Sequence, residues 1–389
     1  MTILSNHISV HSSFFDFETR EWNELVPEDS VFQEWEFLSS LEKARCIQKA
    51  GDWEIQILTY KEGTELLGLF PFYKRIDSYG EYIFDFQWAN AFHRAGIPYY
   101  PKFTSAVPFT PVTGARILLS PNLNAEAKNK VACSLLNAYI ELGKSSGVSS
   151  AHILFCKEEE LNYGKHVGFV PRLTHQYHWI NKGYDSFEDY LSKLVKERRK
   201  TIRQERKKIE ASGLKIQTLT GDQIHEEHAD IFYTFYMDTH SRKWGQAYLN
   251  ETFFKLIFQE MKHRIHLVLA SDSEGSPIGG SFNFYRGDYL FGRYWGATKH
   301  IPNLHFECCY YRLIDFAIER KMKRVEAGAQ GEHKFLRGYE AVPMYSLHHI
   351  YHESGSKAIY DYLEKEIIME EDNIATYNAH SPLKELRKV

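Results

Sequence analysis

Apolar and polar residues alternate with a period of two along several short stretches of this chain, which is typical of half-buried β-strands. The alternation is clear in 58–73 and 270–285, and each of these stretches contains a Glu-Gly turn signal, at 62–63 and 274–275. Each stretch therefore predicts a β-hairpin. The two hairpins also share their glycine and aromatic positions, with Gly68, Phe70, Phe72 and Tyr73 matching Gly280, Phe282, Phe284 and Tyr285.

The same order of elements follows each hairpin. A further strand is predicted over Tyr82–Trp88 in the first half and over Tyr289–Trp295 in the second. A helix, a strand, a short helix and a last strand come next, at 125–143, 151–155, 158–167 and 172–180, and again at 305–321, 325–329, 332–338 and 345–351. Chance similarity of two hairpins is the alternative, but the repeated order favours a duplicated α/β unit with mixed sheets.

A long helix is predicted between the halves, over Phe187–Glu210, with Ser186 as its N-cap. Residues 196–208 contain eight basic and only two acidic side chains. Such a run is usually a solvated helix face, but its excess of positive charge also fits a polyanion-binding surface. We therefore predict two units, 1–183 and 214–389, joined by a basic helix in 184–213. The predicted polyanion contacts are Arg198, Arg199, Arg203, Arg206 and Lys207.

Length and composition narrow the class of protein. A chain of 389 residues is long for one core, so two domains are expected. The net charge of −4 excludes a generally basic nucleic-acid binder. Five cysteines without a framework of spaced pairs fit a reducing compartment, and neither a signal peptide nor a run of about 18 apolar residues is visible. A cytoplasmic protein without a transmembrane segment is the expectation.

Two dense polar clusters lie in the second half. The first follows the strand predicted over 325–329 and contains Gln330, Glu332, His333, Lys334 and Arg337. The second comprises Arg293-Tyr294-Trp295 and, after a short loop, 305–309. Polar groups gathered where strands end are typical of binding and catalytic sites. We therefore expect one site and an enzyme.

The chain resembles the FemAB-like family of predicted N-acyltransferases, which is related to the Fem-type peptidoglycan aminoacyltransferases of the GNAT superfamily. The resemblance implies a duplicated GNAT-like fold and transfer of an acyl or aminoacyl group from an activated donor, aminoacyl-tRNA or acyl-CoA, to an amine such as a cell-wall precursor. The motifs that carry it are Gly80-Glu-Tyr-Ile-Phe-Asp85, Gly96-Ile-Pro-Tyr-Tyr-Pro-Lys102, Pro108-Phe-Thr-Pro-Val-Thr-Gly114, Gly292-Arg-Tyr-Trp-Gly296, Leu304-His-Phe-Glu-Cys-Cys-Tyr-Tyr311 and Gly328-Ala-Gln-Gly-Glu-His-Lys334.

In the fold that this chain resembles, the donor lies in an opening between the fourth and fifth strands. That placement implies a donor side formed by Arg293, Tyr294 and Trp295, and an acceptor side formed by Glu326, Gln330, Glu332 and His333. Glu332 and His333 are candidate bases, although both can instead serve only to cap a short helix. Glu307 is a third catalytic candidate that can instead complement a helix dipole. The further predicted substrate contacts are His305, Lys334 and Arg337.

A long aromatic and proline-rich segment, 99–114, is predicted to form a wall of the substrate channel. The substrate contacts predicted from this segment are Tyr100, Lys102, Thr110 and Thr113. The alternative is a purely structural loop with fixed turns.

The donor side departs from the pattern of acetyl-CoA users. Those enzymes cradle the pyrophosphate in a glycine-containing loop, whereas 297–306 has no glycine here. An acetyl-CoA-dependent N-acetyltransferase with an atypical CoA site is therefore an alternative function, and a non-catalytic binding protein on a degenerate fold is another. No metal is expected. The alternative hypothesis is a metalloenzyme whose metal ligands come from His305, Glu307, Cys308 and His333.

Overall fold

The computed structural model describes residues 2–48, 52–242, 247–328 and 331–387, with the side chain of Glu332 excepted. The chain forms two compact units. The first comprises Met1–Thr174 and Pro343–Glu371, and the second comprises His175–Val342 and Asp372–Val389.

The strands of both units are listed here in chain order: β1 Thr2–Ile3, β2 Ile8–His11, β3 Glu54–Glu62, β4 Glu65–Arg75, β5 Lys102–Ser105, β6 Leu118–Leu119, β7 Ser150–Cys156, β8 Val170–Ile180, β9 Lys215–Thr220, β10 Ile265–Ser271, β11 Pro277–Arg286, β12 Tyr289–Ala297, β13 Arg324–Glu326 and β14 Glu340–Ile350.

The helices are α1 Thr19–Asn23, α2 Trp35–Lys43, α3 Phe86–Arg94, α4 Ala125–Ser145, α5 Glu160–His166, α6 Phe187–Lys193, α7 Lys196–Glu210, α8 Glu227–Arg242, α9 Glu251–Glu260, α10 Leu304–Phe306, α11 Arg312–Glu319, α12 Glu332–Phe335 and α13 Glu353–Ala379. A π-helical turn, Glu307–Tyr311, joins α10 to α11. Within the described part of the chain, no helix is both long enough and apolar enough to span a membrane.

The strands of the two units follow the same plan, which confirms the duplicated GNAT-like fold. In the first unit the strand order is β1-β2-β3-β4-β5-β7-β14, with β6 also paired to β4. In the second unit the order is β9-β10-β11-β12-β13-β8. Each unit contains one parallel pair, β5 with β7 and β12 with β13, among antiparallel neighbours. The two predicted hairpins are β3–β4 and β10–β11.

The last strand in the order given for each unit comes from the other half of the sequence. The sequence pattern assigned 172–180 to the first half and 345–351 to the second, and this assignment was wrong. Trp179 of β8 is buried in the core of the second unit, whereas Leu347 of β14 is buried in the core of the first. Each of the two strands follows a short helix, α5 or α12, in the same order of elements, so local sequence does not reveal which core each strand completes.

The strand predicted over Tyr82–Trp88 is also wrong, because the chain forms helix α3 from Phe86 instead. Trp88 and Phe92, four residues apart, are the buried side chains of this helix. Residues spaced in this way share one helix face, so their burial requires a helix rather than a strand. The strand that follows the first hairpin is β5, and it starts only at Lys102.

The basic helix is broken into two. Ser186 caps α6 as predicted, since its side chain accepts a hydrogen bond from the backbone N–H of Asp189. Leu194 and Val195 then adopt extended backbone, with ψ of 156° and 150°. Leu194 is fully buried and forms a β-bridge to Leu383. Burial of Leu194 against the C-terminal segment is therefore what interrupts the helix.

Candidate functional site

A cleft opens in the second unit where two parallel strands part. Strands β12 and β13 are paired only between 289–291 and 324–326. Strand β12 continues to Ala297, whereas β13 ends at Glu326, so the described residues give the far half of β12 no strand partner on that side. A cavity of about 460 Å³ lies there. Its lining residues are Asn283, Gly292, Arg293, Tyr294, Trp295, His305, Cys309, Tyr310, Ala327, Gly331, His333 and Lys334.

The π-helical turn supplies one wall of this cleft. Such a turn inserts an extra residue into a helix and is often found at functional sites. Here it contains Cys309 and Tyr310, both of which line the cavity, while Cys308 is fully buried in the core of the unit.

Tyr310 and His333 form the polar centre of the cleft. The Tyr310 hydroxyl lies 2.7 Å from Nε2 of His333. Burial, together with the charges of Lys334 and Arg337, lowers the pKa of His333 below its ordinary value. Burial raises the pKa of Tyr310 well above its ordinary value. At neutral pH the imidazole is therefore neutral and the phenol is protonated, so the phenol can donate to the imidazole.

Gly331 shapes the backbone that carries His333. Its φ is +119°, a conformation that side-chain-bearing residues rarely adopt. A Cβ at this position would lie 2.5 Å from Cε1 of His333. Only glycine therefore allows both the turn and the close approach of the imidazole.

Lys334 is a buried cation in the wall of the same cleft. The residue is only 2% exposed, and its Nζ donates a hydrogen bond of 2.6 Å to the carbonyl oxygen of Gly328. Burial lowers the pKa of this ammonium to about 8. Within the described parts of the chain, no carboxylate forms an ion pair with it.

Arg337 fixes the segment that carries these two side chains. Its Nη1 donates to the carbonyl oxygen of His333 at 2.8 Å, and its Nη2 donates to both carboxylate oxygens of Glu205 on α7, at 2.8 and 2.9 Å. Its Nε donates to the Tyr311 hydroxyl at 2.8 Å, and its guanidinium carbon lies 3.5 Å from the ring centroid of Phe306. Every polar edge of this side chain is occupied, so Arg337 positions the site from behind rather than lining the cavity.

Two predicted acidic residues do not line the cavity either. Glu307 is buried and bound by Arg312 at 2.8 Å and Arg206 at 3.3 Å. Glu326 is buried and lies 2.7 Å from Arg324. Both carboxylates form ion pairs within the second unit. Of the other acceptor-side residues, Gln330 and the side chain of Glu332 lie outside the described residues.

The residues predicted from the 99–114 segment belong to the first unit. Lys102 is fully buried, and its Nζ is bound by Glu81 at 2.7 Å and Asp85 at 2.6 Å. Tyr100 lies 2.8 Å from Ser78 through its hydroxyl, and the Thr113 hydroxyl contacts the sulfur of Met344. Thr110 is buried and donates to the carbonyl oxygen of Pro108. These contacts hold the first unit together internally.

The predicted polyanion contacts on α7 divide into two groups. Arg206 is bound by Asp315 and Glu307, and Arg203 is paired with Glu188. Arg198, Arg199 and Lys207 have no ion-pair partner among the residues that the structure describes, and Lys207 is exposed.

Sequence reasoning missed Asn283, Cys309 and Tyr310 as lining residues. Asn283 sits at a register shift between β11 and β12, and its amide donates to the carbonyl oxygen of His266. Cys309 and Tyr310 lie on the π-helical turn, where the spacing of side chains differs from that of an α-helix. The change of helix type has no sequence signal of its own.

In the parts of the chain that the structure describes, no three His, Cys, Asp or Glu side chains gather as metal ligands. Four residues were considered as metal ligands in the alternative metalloenzyme hypothesis. Of these, Glu307 forms ion pairs with two arginines and Cys308 is buried in the core. His305 and His333 have ring centroids 5.9 Å apart.

Comparison with known proteins gives a family and a fold. The FemAB-like family, described as peptidoglycan biosynthesis/recognition, matches residues 13–385. No curated protein sequence matches significantly. The C-terminal domain of a putative lysylphosphatidylglycerol synthetase from Agrobacterium fabrum is similar over 88% of this chain and 95% of its own, at 7% identity and a TM-score of 0.55.

A crystal structure of FemX covers 90% of this chain and all of its own, at 10% identity and a TM-score of 0.50. A tandem GNAT protein from the clavulanic acid biosynthesis pathway covers 88% of this chain and 98% of its own, at 10% identity and a TM-score of 0.42. At such low identity, the similarities to the synthetase domain and to FemX show the fold and nothing beyond it.

Proposed function

Because this chain belongs to the FemAB-like family, we propose that it transfers an acyl or aminoacyl group from an activated donor to an amine in peptidoglycan-related metabolism. The observation that carries the proposal is the contact between Tyr310 and His333 in the cleft between the parting strands. The family membership and the fold support a transferase. The contact supplies the proton chemistry that transfer to an amine requires.

An amine acceptor must lose a proton as its nitrogen attacks the donor carbonyl. We place the acceptor against the Tyr310 hydroxyl. As the new C–N bond forms, the phenol oxygen receives the amine proton and passes its own proton to Nε2 of His333. The neutral imidazole that burial favours is the form able to receive it.

The same pair then returns the proton. When the bond between the carbonyl carbon and the donor's oxygen or sulfur breaks, the leaving atom carries a developing negative charge. The imidazolium of His333 returns its proton through Tyr310 to that atom. Atoms and charge balance over the cycle, and both side chains are restored to their starting state.

Two backbone amides of the donor-side loop 297–306, and the amide of Glu307 just beyond it, already form hydrogen bonds. The amides of Thr298, Leu304 and Glu307 donate to the carbonyl oxygens of Ile278, Ile301 and Asn303. They are therefore not free to cradle a pyrophosphate, and the loop has no glycine. This supports a donor that is not bound as CoA usually is, and we propose aminoacyl-tRNA, for which Arg198, Arg199 and Lys207 of α7 are the candidate phosphate contacts.

The test is a transfer assay with purified protein, an amine-bearing peptidoglycan precursor, and either radiolabelled aminoacyl-tRNA or acyl-CoA. We expect label in the acceptor with aminoacyl-tRNA. His333→Ala is expected to reduce transfer by 10²-fold or more, the usual scale of acid–base catalysis. His300→Ala is the matched control, since His300 is exposed and outside the cavity. Absence of transfer from both donors would refute the proposal and favour a binding protein.

A further inference from the structure

The charged side chains that the structure describes along the cleft are all positive. Arg293 and Lys334 are cations in its wall, and none of the lining residues that the structure describes is an aspartate or a glutamate. The remaining lining residues include aromatic side chains, such as Tyr294 and Trp295, and small residues, such as Gly292 and Ala327. A substrate that enters this cleft therefore meets positive charge on its walls.

The positive charge of the buried Lys334 ammonium is only partly compensated by its described neighbours. An ammonium carries three N–H donors, and the described structure provides one acceptor for it, the Gly328 carbonyl oxygen at 2.6 Å. A buried charge without a counter-charge is costly. Two donors of a nearly fully buried cation thus remain available to a ligand in the cavity that the side chain lines.

We infer that Lys334 is the recognition site for an oxyanion of the substrate, so that the molecule bound here presents a carboxylate or phosphate close to the reacting amine. This inference rests on the proposed function for the identity of the reacting amine. Lys334 immediately follows His333 in the chain, and the Tyr310–His333 pair lines the same cavity. The acceptor class that fits is an amine carrying a nearby carboxylate, as in an amino acid or a short peptide.

Protonation of Lys334 adds a testable consequence. With a pKa near 8, the side chain is mostly charged at pH 7 and mostly neutral at pH 9.5. A bound oxyanion favours the charged form, so binding raises the pKa of the ammonium. The affinity for an oxyanion must therefore fall as the pH rises from 7 to 9.5. Deprotonation of Lys334 does not lower the affinity for an analogue that lacks the oxyanion.

The experiment measures binding, not turnover, with three probes. Glycylglycine carries an amine and a carboxylate, glycylglycinamide carries the amine alone, and inorganic phosphate is an oxyanion without an amine. By NMR titration at pH 7 we expect glycylglycine to bind at least tenfold more tightly than glycylglycinamide. The preference should disappear in Lys334→Met and at pH 9.5, and persist in Lys262→Met, an exposed lysine of the same unit outside the cleft.

Four outcomes of these measurements distinguish the alternatives. Equal affinity of wild type for glycylglycine and glycylglycinamide, together with no phosphate binding, overturns the inference, as does a preference that survives in correctly folded Lys334→Met. Lys334→Arg, which keeps the charge, separates loss of charge from loss of fold. Phosphate binding that depends on Lys334 without any glycylglycine preference identifies the oxyanion as a phosphate. If the preference holds but the transfer assay fails, the proposed function falls and the oxyanion site stands.

Discussion

The Tyr310 hydroxyl and Nε2 of His333 are within hydrogen-bonding distance at 2.7 Å, and the phenol is the protonated partner. If the pair acts as the proposed proton relay, Tyr310→Phe should reduce the rate of transfer by about 10²-fold or more with little change in KM. Tyr285→Phe, outside the cavity, is the control. A second readout is the imidazole pKa by NMR, which should change in Tyr310→Phe. A pKa that does not change would show that the two side chains are not coupled.

The Arg337–Glu205 pair should matter for stability as well as for the site. Both side chains are largely buried, and removal of one partner leaves an uncompensated charge, which typically costs 3–5 kcal/mol. We expect Glu205→Gln and Arg337→Met each to lower the free energy of unfolding of the second unit, measured in urea. The double variant should lose less than the sum of the single losses. Strict additivity would show that the two side chains do not stabilise each other.

The duplicated fold was predictable because its signals are local. Period-two alternation and a Glu-Gly turn mark each hairpin, and both hairpins form where the sequence places them. The exchange of β8 and β14 was not predictable, because it depends on which distant core buries Trp179 and Leu347. The break at Leu194 likewise depends on a contact with Leu383, nearly two hundred residues away.

The candidate site was predicted in part. Arg293, His333 and Lys334 line one cavity, as two polar clusters at strand ends suggested. Glu307 and Arg337 were proposed from the same clusters, but a linear sequence does not show that each is saturated by an opposite charge on α7 or nearby. Tyr310 was missed because an aromatic residue in an amphipathic helix is indistinguishable from core until the π-turn is seen.

Gly331 offers a test of how finely His333 must be placed. An alanine here adds backbone strain and a Cβ that collides with the imidazole ring. We expect Gly331→Ala to displace His333 and to reduce transfer at least tenfold. Gly275→Ala, also at positive φ but with open space around it, is the control for strain alone. Equal activity of the two variants would contradict a positional role for Gly331.

Salt dependence separates the two groups of basic residues on α7. If Arg198, Arg199 and Lys207 contact phosphates, their combined change to Gln should lower the slope of log affinity for tRNA against log salt by about 2, since each contact contributes about 0.7–0.9. The melting temperature should hardly change. Arg206→Gln should instead destabilise the second unit, because it breaks pairs with Asp315 and Glu307. An unchanged slope in the triple variant would argue against a polyanion surface.

Acid sensitivity of the first unit should be set by a buried imidazole pair. The Nδ1 atoms of His152 and His348 lie 2.8 Å apart, and both residues are almost fully buried. Burial, with the nearby Lys102 charge, lowers the pKa of His152 to about 3, and burial with His152 lowers that of His348. Both imidazoles are therefore neutral in the folded unit.

Because the pKa values of His152 and His348 are lowered in the folded state, the stability of the first unit should fall as the pH falls. An unfolded histidine has a pKa near 6.5, so between pH 6.5 and about 3 the unfolded chain binds protons that the folded unit does not. The stability from each imidazole is fully present above pH 6.5 and is lost as the pH falls, by up to about 1.4 kcal/mol per pH unit per group. Hydrogen exchange of β7 amides between pH 7 and 5, corrected for intrinsic rates, should show this loss. His348→Asn should flatten the dependence, while the exposed His166→Asn should leave it unchanged, and a wild-type unit whose stability is constant across this range would refute the assignment.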